Sequence, residues 1–270
     1  MRTVLVTGAA GGIGAAIAAR FAAAGDRVAL SDLRPSELST VAERLRSEHG
    51  ATVTELPGDL ADAQYAEGLV DRAGPKGPVD VLVNAAGIYP ATRLLDLTAA
   101  GWDRVQDVNV RAAVLTTVAF GRKHVAAGTT GSVVNISSGA ATRARPGASH
   151  YATSKAALEM ATKACAVELG PHGIRVNAVS PGFVTVDSEA NPVTEAYAAA
   201  VSVNPLGRRG APGEIADAVF WLAGPEAGWI TGSILRVDGG STAGAAGLPL
   251  HWSGETAVQK GSVHTGGAHV

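Results

Sequence analysis

The first thirty-two residues constrain the fold of this chain more than any other segment. Residues 2–7 (RTVLVT) form a short, β-branched apolar run that is typical of a buried strand. The glycine-rich sequence GAAGGIG follows, and then the helical pattern AAIAARFAAAG. A second apolar run, RVALSD, ends at Asp32. Strand, glycine-rich turn, helix and strand in this order predict the first unit of a parallel sheet.

The glycines of this turn indicate a site for the phosphates of a dinucleotide. Gly8 permits the tight turn, Gly12 lets the backbone approach a pyrophosphate, and Gly14 allows close packing of helix on strand. The free N–H groups and the positive end of the helix would hold the phosphates. Asp32 stands where an acid that hydrogen-bonds an adenosine ribose belongs. A simple strand-to-helix connection is the alternative.

Two residues four apart, Tyr151 and Lys155, indicate a proton-transfer site. This spacing places both on one helix face, so the ammonium group can lie beside the phenol and favour its ionised form. A tyrosine phenol ordinarily titrates near ~10, and a fixed cation can supply much of a shift toward neutrality. Ser138 precedes Tyr151 by thirteen residues, a spacing that favours it over its neighbour Ser137. Alone, the Y-x-x-x-K pair also fits a solvated helix face.

These residues and several short motifs resemble the short-chain dehydrogenase/reductase family. The resemblance covers residues 1 to about 244 and implies a nicotinamide cofactor and the interconversion of an alcohol and a ketone. The matching motifs, in chain order, are TGAAGGIG at 7–14, NAAG at 84–87, Asn109 in VQDVNV, Ser138, YATSK at 151–155, Pro181-Gly182, and PLGRRGAPGEIA followed by VDGG.

The resemblance implies roles for four residues. Tyr151 would exchange the proton as general acid/base, and Lys155 would lower the pKa of Tyr151 and bind the nicotinamide ribose. Ser138 would hydrogen-bond the substrate oxygen. Asn109 would hold a water through which the proton reaches Lys155, although packing at a helix kink is an alternative for an asparagine inside a helix.

The implied cofactor is NAD, because a carboxylate at Asp32 accepts hydrogen bonds from ribose hydroxyls and repels a 2′-phosphate. Arg34 is the one basic residue close enough to oppose this choice, and we expect it to be solvated. Asp59 is expected either near the adenine or as a helix cap. The implied cofactor contacts are Gly8, Gly12, Ile13, Gly14, Asp32, Leu33, Asp59, Leu60, Asn84, Ala85, Ala86, Gly87, Tyr151, Lys155, Pro181, Gly182 and Val184.

Two positions depart from the family pattern. Ala85 replaces the second asparagine of the family's N-N-A-G, which should change little because Asn84 keeps the strand end. Val186 stands where the family has a threonine that bonds the nicotinamide carboxamide, and Thr185 comes one residue early. That contact is therefore lost, shifted or supplied elsewhere.

Apolar runs and helical patterns alternate along the chain with short connections. They predict an α/β fold, a single-domain Rossmann-like, doubly wound parallel sheet of about seven strands over 1–244, with 245–270 as a tail. We expect Leu248, Pro249, Leu250 and Trp252 of this tail to dock near the lid or on a neighbouring subunit. The expected strands are 2–7, 27–32, 52–56, 79–84, 131–137, 173–179 and 232–237, and the expected helices are 13–24, 35–48, 61–73, 101–126, 149–170 and 212–223.

Composition excludes several classes of partner. The chain of 270 residues is 46% apolar with a formal net charge of −2, and it has no basic block for nucleic acid or an anionic membrane. It has no apolar run of membrane-spanning length and no signal-peptide pattern, so we expect a cytoplasmic protein. The histidines lack metal-ligand spacing, so no metal is expected, and Cys165 should be a packing residue.

The substrate pocket should be lined by residues after Ser138, by Tyr89–Arg93 and by a lid, Phe183–Pro205, that contains Asp187 and Glu189. A small secondary alcohol, polyol or ketone is the predicted substrate class. Arg143, Arg145 and His150 could bind an anionic substrate, but we expect all three to be solvent-exposed loop residues. The alternatives are an NADPH-dependent 3-oxoacyl thioester reductase and a non-catalytic dinucleotide-binding sensor or scaffold.

A homotetramer is the expected assembly. The helical stretch 149–170 carries small residues that would allow helices to pack closely across a symmetry axis, although burial within one chain explains them equally. These residues are Ala156, Ala157, Ala161 and Ala164.

Overall fold

The fold is built around one parallel sheet of seven strands. The structure is a computed structural model that describes residues 1–74, 78–186, 193–244 and 248. The strand order is β3-β2-β1-β4-β5-β6-β7, and every neighbouring pair is parallel, which confirms the predicted fold class. The strands are β1 (Thr3–Thr7), β2 (Arg27–Asp32), β3 (Val53–Pro57), β4 (Val81–Asn84), β5 (Gly131–Ile136), β6 (Ile174–Pro181) and β7 (Ile234–Val237).

Helices cover both faces of this sheet. One face packs on α1, α2 and α8, with Phe21 and Leu45 buried between them, and the other face packs on α3, α5 and α6 around Leu69 and Phe120. The helices are α1 (Gly12–Ala23), α2 (Pro35–His49), α3 (Ala63–Ala73), α4 (Ala99–Gln106), α5 (Ala112–Ala127), α6 (Ser149–Leu169), α7 (Glu195–Val201) and α8 (Pro212–Ala223).

The expected helix 101–126 is not continuous. A π-helical turn, Asp107–Arg111, separates α4 from α5. The helical pattern of the sequence continues through this turn. A π turn adds one residue to a helical turn and therefore rotates the side chains only locally. The short helix α7 was not expected from the sequence either; Thr194 caps it by accepting a hydrogen bond from the Tyr197 N–H.

The strand order reverses direction at β1, which lies between β2 and β4. In open parallel sheets this reversal opens a crevice beyond the carboxyl ends of the strands, where ligands bind. Gly8 leaves β1 with φ +68°, and a Cβ added to it would lie 2.7 Å from the Cα of Ala86. A Cβ on Gly14 would lie 2.1 Å from the carbonyl oxygen of Gly8. Glycine is therefore required at both positions for this crevice to form.

Two predicted features lie outside the described residues. One is the pair of lid acids Asp187 and Glu189, and the other is the tail 245–270 apart from Leu248, whose side chain is exposed. Among the described helices, none combines the length and the apolar character needed to cross a membrane.

Candidate active site

Tyr151 and Ser138 lie together in a cavity at the carboxyl ends of β4, β5 and β6. The cavity has a volume of about 850 Å³. Tyr151 enters it from the first turn of α6, and Ser138, two residues after β5, caps a short 3₁₀ turn, Gly139–Ala141. Other predicted residues that line the same cavity are Ile13, Ala85, Gly87, Lys155, Pro181, Gly182 and Val184.

The contacts of two neighbouring serines show which of their hydroxyl groups lies near Tyr151. The hydroxyl of Ser137 donates a hydrogen bond of 2.7 Å to Glu159 on α6. Ser138 instead lies beside Tyr151, where its hydroxyl lowers the pKa of the phenol, and its Oγ accepts a 3.2 Å bond from the Ala140 N–H. The structure therefore brings Ser138, and not Ser137, into contact with the Tyr151 hydroxyl.

The surroundings of Tyr151 act on its phenol in opposite directions. Loss of solvation by burial raises the pKa of Tyr151 above its ordinary value, and the Ser138 hydrogen bond and the Arg145 guanidinium lower it. Burial is the largest cause, so the net shift is upward. The expected lowering of this pKa by Lys155 is not seen in the cofactor-free protein, because the ammonium nitrogen lies 5.8 Å from the phenol ring centroid and bonds elsewhere.

Lys155 is buried beneath the cavity floor. Its Nζ donates a 2.7 Å hydrogen bond to the carbonyl oxygen of Ile136 at the end of β5. Among the described residues, no carboxylate pairs with this ammonium group, and burial lowers the pKa of Lys155 to about 8. The side chain can therefore hold or release a proton near neutral pH.

Asn109 occupies the π-helical turn and fixes the chain that leaves β4. Its Oδ1 accepts a 2.8 Å bond from the Ile88 N–H, and its Nδ2 donates to the Ile88 carbonyl and to Ser154. The side-chain amide thus bonds the chain after β4 and helix α6, and not the local helix backbone that the alternative role involves. A Cβ on Gly87 would lie 3.4 Å from both Asn109 Oδ1 and Lys155 Nζ, so the two side chains meet at the same place.

A buried polar network behind the cavity was only partly anticipated. Asn84 Nδ2 donates a 2.9 Å bond to Asn135 Oδ1 on the neighbouring strand, and Asn135 Nδ2 donates to Thr162 on α6. Thr7 Oγ1 accepts bonds of 3.1 Å from the N–H groups of Ala85 and Ala86. Asn135 and Thr7 stand at strand ends in the sequence, and that position is the signal that could have identified them.

The glycine-rich turn presents a suitable site for phosphate. Helix α1 begins at Gly12 with no side-chain cap, and its first turn carries no acidic residue. The N–H groups of a helix start need acceptors, and the helix dipole favours an anion there. Val186 approaches this turn, because its Cγ1 would lie 3.4 Å from a Cβ on Gly12. The apolar Val186 side chain therefore contacts the phosphate side of the crevice.

Asp32 ends β2 beside the same turn. Its Oδ2 accepts a 3.0 Å bond from the Ala10 N–H, and its Oδ1 accepts bonds from the backbone N–H and the Nε of Arg34. The Arg34 guanidinium forms an ion pair of 3.2 Å with Asp32 and reaches toward Gly11, while 39% of its side chain stays exposed, so the expected solvated arginine is only partly solvated. Leu33 is exposed between them.

Asp59 lies farther along this edge, after β3. It accepts a 2.9 Å bond from the Ala61 N–H and pairs with Arg104 of α4 at 3.0 Å. Asp62 caps α3, so the helix-cap role considered for Asp59 belongs to Asp62, three residues later. Leu60 is buried beneath the turn.

Comparison with known proteins agrees with this arrangement. Residues 8–242 match the model of a family described as enoyl-(acyl carrier protein) reductase. Galactitol 2-dehydrogenase (L-tagatose-forming) of Cereibacter sphaeroides is 39% identical over 241 residues, which are 88% of this chain and 93% of that protein. This chain belongs to the short-chain dehydrogenase/reductase family. It is an oxidoreductase of that family.

Two further members of the short-chain dehydrogenase/reductase family extend the comparison. Cis-4-hydroxycyclohexanecarboxylate dehydrogenase of Sinomonas cyclohexanicum is 36% identical over 90% of this chain and 97% of its own length. The crystal structure of a short-chain dehydrogenase from Burkholderia cenocepacia in complex with NADP is 36% identical, covers 89% of this chain and 98% of that one, and superimposes with a TM-score of 0.82.

The described residues contain neither a cluster of metal ligands nor an activated thiol. Over the described ranges, 1–74, 78–186 and 193–244, His, Cys, Asp and Glu side chains form no group of three that could hold a metal ion. Cys165 is half-buried on α6, and burial raises the pKa of its thiol, so the thiolate is disfavoured.

We expect Lys155→Met to remove a pH-dependent contribution to stability. The folded protein loses the Lys155 proton at a pKa of about 8, whereas the unfolded chain keeps it up to its ordinary value of 10.5. Between these values the unfolded state binds more protons, so the contribution to stability rises with pH, by up to about 3 kcal/mol.

Chemical denaturation of the cofactor-free protein at about pH 7 and about pH 10 measures this contribution. The wild type should gain stability relative to Lys155→Met as the pH rises. Lys163→Met, which removes an exposed lysine from the same helix, is the matched control and should follow the wild type. Parallel pH curves for the wild type and Lys155→Met would contradict the assignment.

Proposed function

We propose that this protein is an NAD(H)-dependent oxidoreductase that transfers a hydride between nicotinamide and a small secondary alcohol, polyol or ketone. The observation that carries the proposal is the contact of the Tyr151 hydroxyl with Ser138 in a cavity floored by the buried Lys155. Such a hydroxyl pair can hold an alcohol or carbonyl oxygen and exchange one proton with it.

The proposed roles follow from these contacts. Ser138 orients the substrate oxygen toward Tyr151, and Tyr151 gives a proton to a carbonyl oxygen or takes one from an alcohol. Lys155 in the cavity floor accepts or returns that proton, since its pKa of about 8 is close to neutrality. Asn109 holds the backbone after β4 in place beneath the same site. Bound NAD would supply the hydride acceptor at its nicotinamide carbon.

The chain's own residues fit such a cofactor. The uncapped start of α1 would hold the pyrophosphate, and Asp32 would accept hydrogen bonds from the adenosine ribose. Asp59 would lie near the adenine. The nicotinamide would enter on the side of the cavity lined by Gly87, Pro181 and Gly182. The Val186 side chain has no hydrogen-bonding group, so another group would bind the carboxamide.

A second candidate, an NADPH-dependent 3-oxoacyl thioester reductase, is favoured by one observation. Arg34 reaches over the glycine turn toward Gly11, where a guanidinium can bind a 2′-phosphate. The description of the matching family as an acyl carrier protein reductase supports the same candidate. We favour NAD because Asp32 neutralises Arg34 and presents a carboxylate at the ribose.

The polyol and ring-alcohol dehydrogenases among the relatives support a compact substrate with a secondary hydroxyl. The cavity volume of about 850 Å³ includes the nicotinamide end of the crevice, which limits the space left for substrate. A small alcohol, polyol or ketone therefore remains the proposed substrate class.

We expect Tyr151→Phe to abolish turnover and to leave NADH affinity within a few-fold, because only the proton-transfer hydroxyl is removed. Lys155→Ala should weaken both turnover and cofactor binding. Steady-state kinetics on a panel of secondary alcohols and ketones, with NADH titrations of each variant, provides the measurement. Wild-type turnover by Tyr151→Phe would refute the role of Tyr151.

The serine pair provides a matched control for that experiment. Ser138→Ala should lower kcat about 10²-fold, because it removes the donor that positions the substrate oxygen. Ser137→Ala removes a hydroxyl that bonds Glu159 and should leave kcat within a few-fold. Equal losses in the two variants would mean that folding, and not chemistry, is affected.

We expect Asp32→Ala to lower the catalytic efficiency with NAD and to raise it with NADP, each by about 1–3 kcal/mol of transition-state binding. The substitution removes both the hydrogen bonds to the ribose and the repulsion of a 2′-phosphate. Arg34→Ala should affect NADP alone. A wild-type preference for NADP that Arg34→Ala abolishes would instead support the thioester reductase.

We expect a homotetramer in solution. Helix α6 leaves Ala156, Met160, Ala164 and Val167 exposed along one side, so burial within the chain does not account for them. Light scattering at micromolar concentration should give about four times the 27.1 kDa chain mass. A monomer mass would rule the tetramer out. Met160→Lys should dissociate the tetramer without unfolding the chain.

A further inference from the structure

Arg145 lies in the loop between β5 and α6 and lines the substrate cavity. The sequence indicated a solvent-exposed loop residue, but the side chain is half-buried against two aromatic rings. Its Cζ lies 5.9 Å from the ring centroid of Tyr151 and 5.5 Å from that of Tyr197 on α7. The guanidinium therefore sits between the proton-transfer residue and the opposite wall of the cavity.

The charge of Arg145 is not balanced within the described part of the chain. Arg209 also lines the cavity, but it forms an ion pair with Glu195, which is the one acidic side chain among the described lining residues. Arg143 is exposed. No described carboxylate lies within ion-pair distance of Arg145, whose contacts are the faces of the two rings.

Aromatic surroundings prepare a guanidinium to bind an anion. Cation–π contact with two rings restricts where the group can lie and leaves it with N–H donors that the rings do not satisfy. Partial removal of water strengthens a charge-assisted hydrogen bond, and two parallel N–H groups match the two oxygens of a carboxylate. A single guanidinium balances a monoanion, which favours a carboxylate over a phosphate ester.

We propose that Arg145 binds a carboxylate of the substrate, so that the protein acts on a small hydroxy acid or oxo acid. This inference rests on the proposed function, because it places the reacting oxygen at Tyr151 and Ser138. The same substrate must also reach Arg145, which contacts the Tyr151 ring. The carboxylate and the carbinol carbon of the substrate are therefore only a few bonds apart. Tyr197 on helix α7 lines the pocket, where its ring would contact the carbon skeleton of the substrate.

Binding of matched acids and amides tests the proposal without turnover. The probes are three ketone pairs: levulinate and levulinamide, 4-oxocyclohexanecarboxylate and its carboxamide, and 4-acetylbenzoate and its benzamide. Calorimetric titration into protein saturated with NAD⁺ or NADP⁺, which has no hydride to give a ketone, should show at least one acid binding about 10-fold more tightly than its amide. Arg145→Met should abolish this difference, and Arg145→Lys should restore part of it.

Arg122→Met is the matched control, since it removes one exposed arginine of α5 that does not line the cavity. It should keep the acid preference of the wild type. The proposal is overturned if no acid binds more tightly than its amide, or if Arg145→Met and Arg122→Met retain the same preference. Thermal unfolding of each variant confirms that the comparison is made on folded protein.

Reduction of the same ketones separates this proposal from the proposed function. Turnover of amides and acids with equal kcat/KM would leave the oxidoreductase assignment standing and remove the carboxylate site. Tight, Arg145-dependent binding of the acids without reduction of any ketone would leave the site standing and remove the proposed reaction. A preference for acids in kcat/KM that falls about 10-fold in Arg145→Met supports both.

Discussion

The geometry of the whole site depends on polar groups that are buried where the parallel strands end. Asn84 bonds Asn135 across β4 and β5, and Thr7 at the end of β1 holds the backbone of Ala85 and Ala86. An unsatisfied buried group costs about 1–3 kcal/mol, so these bonds are difficult to exchange for others. Gly8 approaches Ala86 closely because it lacks a Cβ. The glycine-rich turn and the substrate cavity are therefore fixed to one another, as a ligand that spans both would require.

Local patterns in the sequence predicted most of this arrangement, and tertiary contacts explain what they missed. The parallel order of strands follows from alternating apolar runs, and Ser138 was correctly placed near Tyr151 by spacing alone. The break in the helix at Asn109 could not be read from periodicity, since the π turn satisfies the same apolar positions. Arg34 reaches toward Gly11 and Arg145 contacts Tyr197, both distant in the chain, and charged loop residues carry no pattern that distinguishes a solvated side chain from one held at a site.

The pKa of Tyr151 is set by neighbours that the Y-x-x-x-K spacing does not reveal. Lys155 shares a helix face with Tyr151, but its ammonium group donates its hydrogen bond to the carbonyl of Ile136. The phenol is influenced more directly by Ser138 and Arg145, which lower its pKa against the larger effect of burial. Lys155 with a pKa of about 8 is better suited to receive or return a proton than to act as a permanent cation.

Arg145 links substrate charge to this proton chemistry. Its guanidinium favours the ionised form of Tyr151, and a carboxylate bound to Arg145 would offset that effect. With the charge balanced, burial keeps the phenol protonated, and a protonated phenol is the form that donates to the oxygen of a ketone. An uncharged substrate would leave the effect of Arg145 in place, so the phenol would lose its proton at a lower pH than it does with a carboxylate bound. The same cation that selects an oxo acid would therefore also extend the reduction of that acid to a higher pH than the reduction of its uncharged analogue.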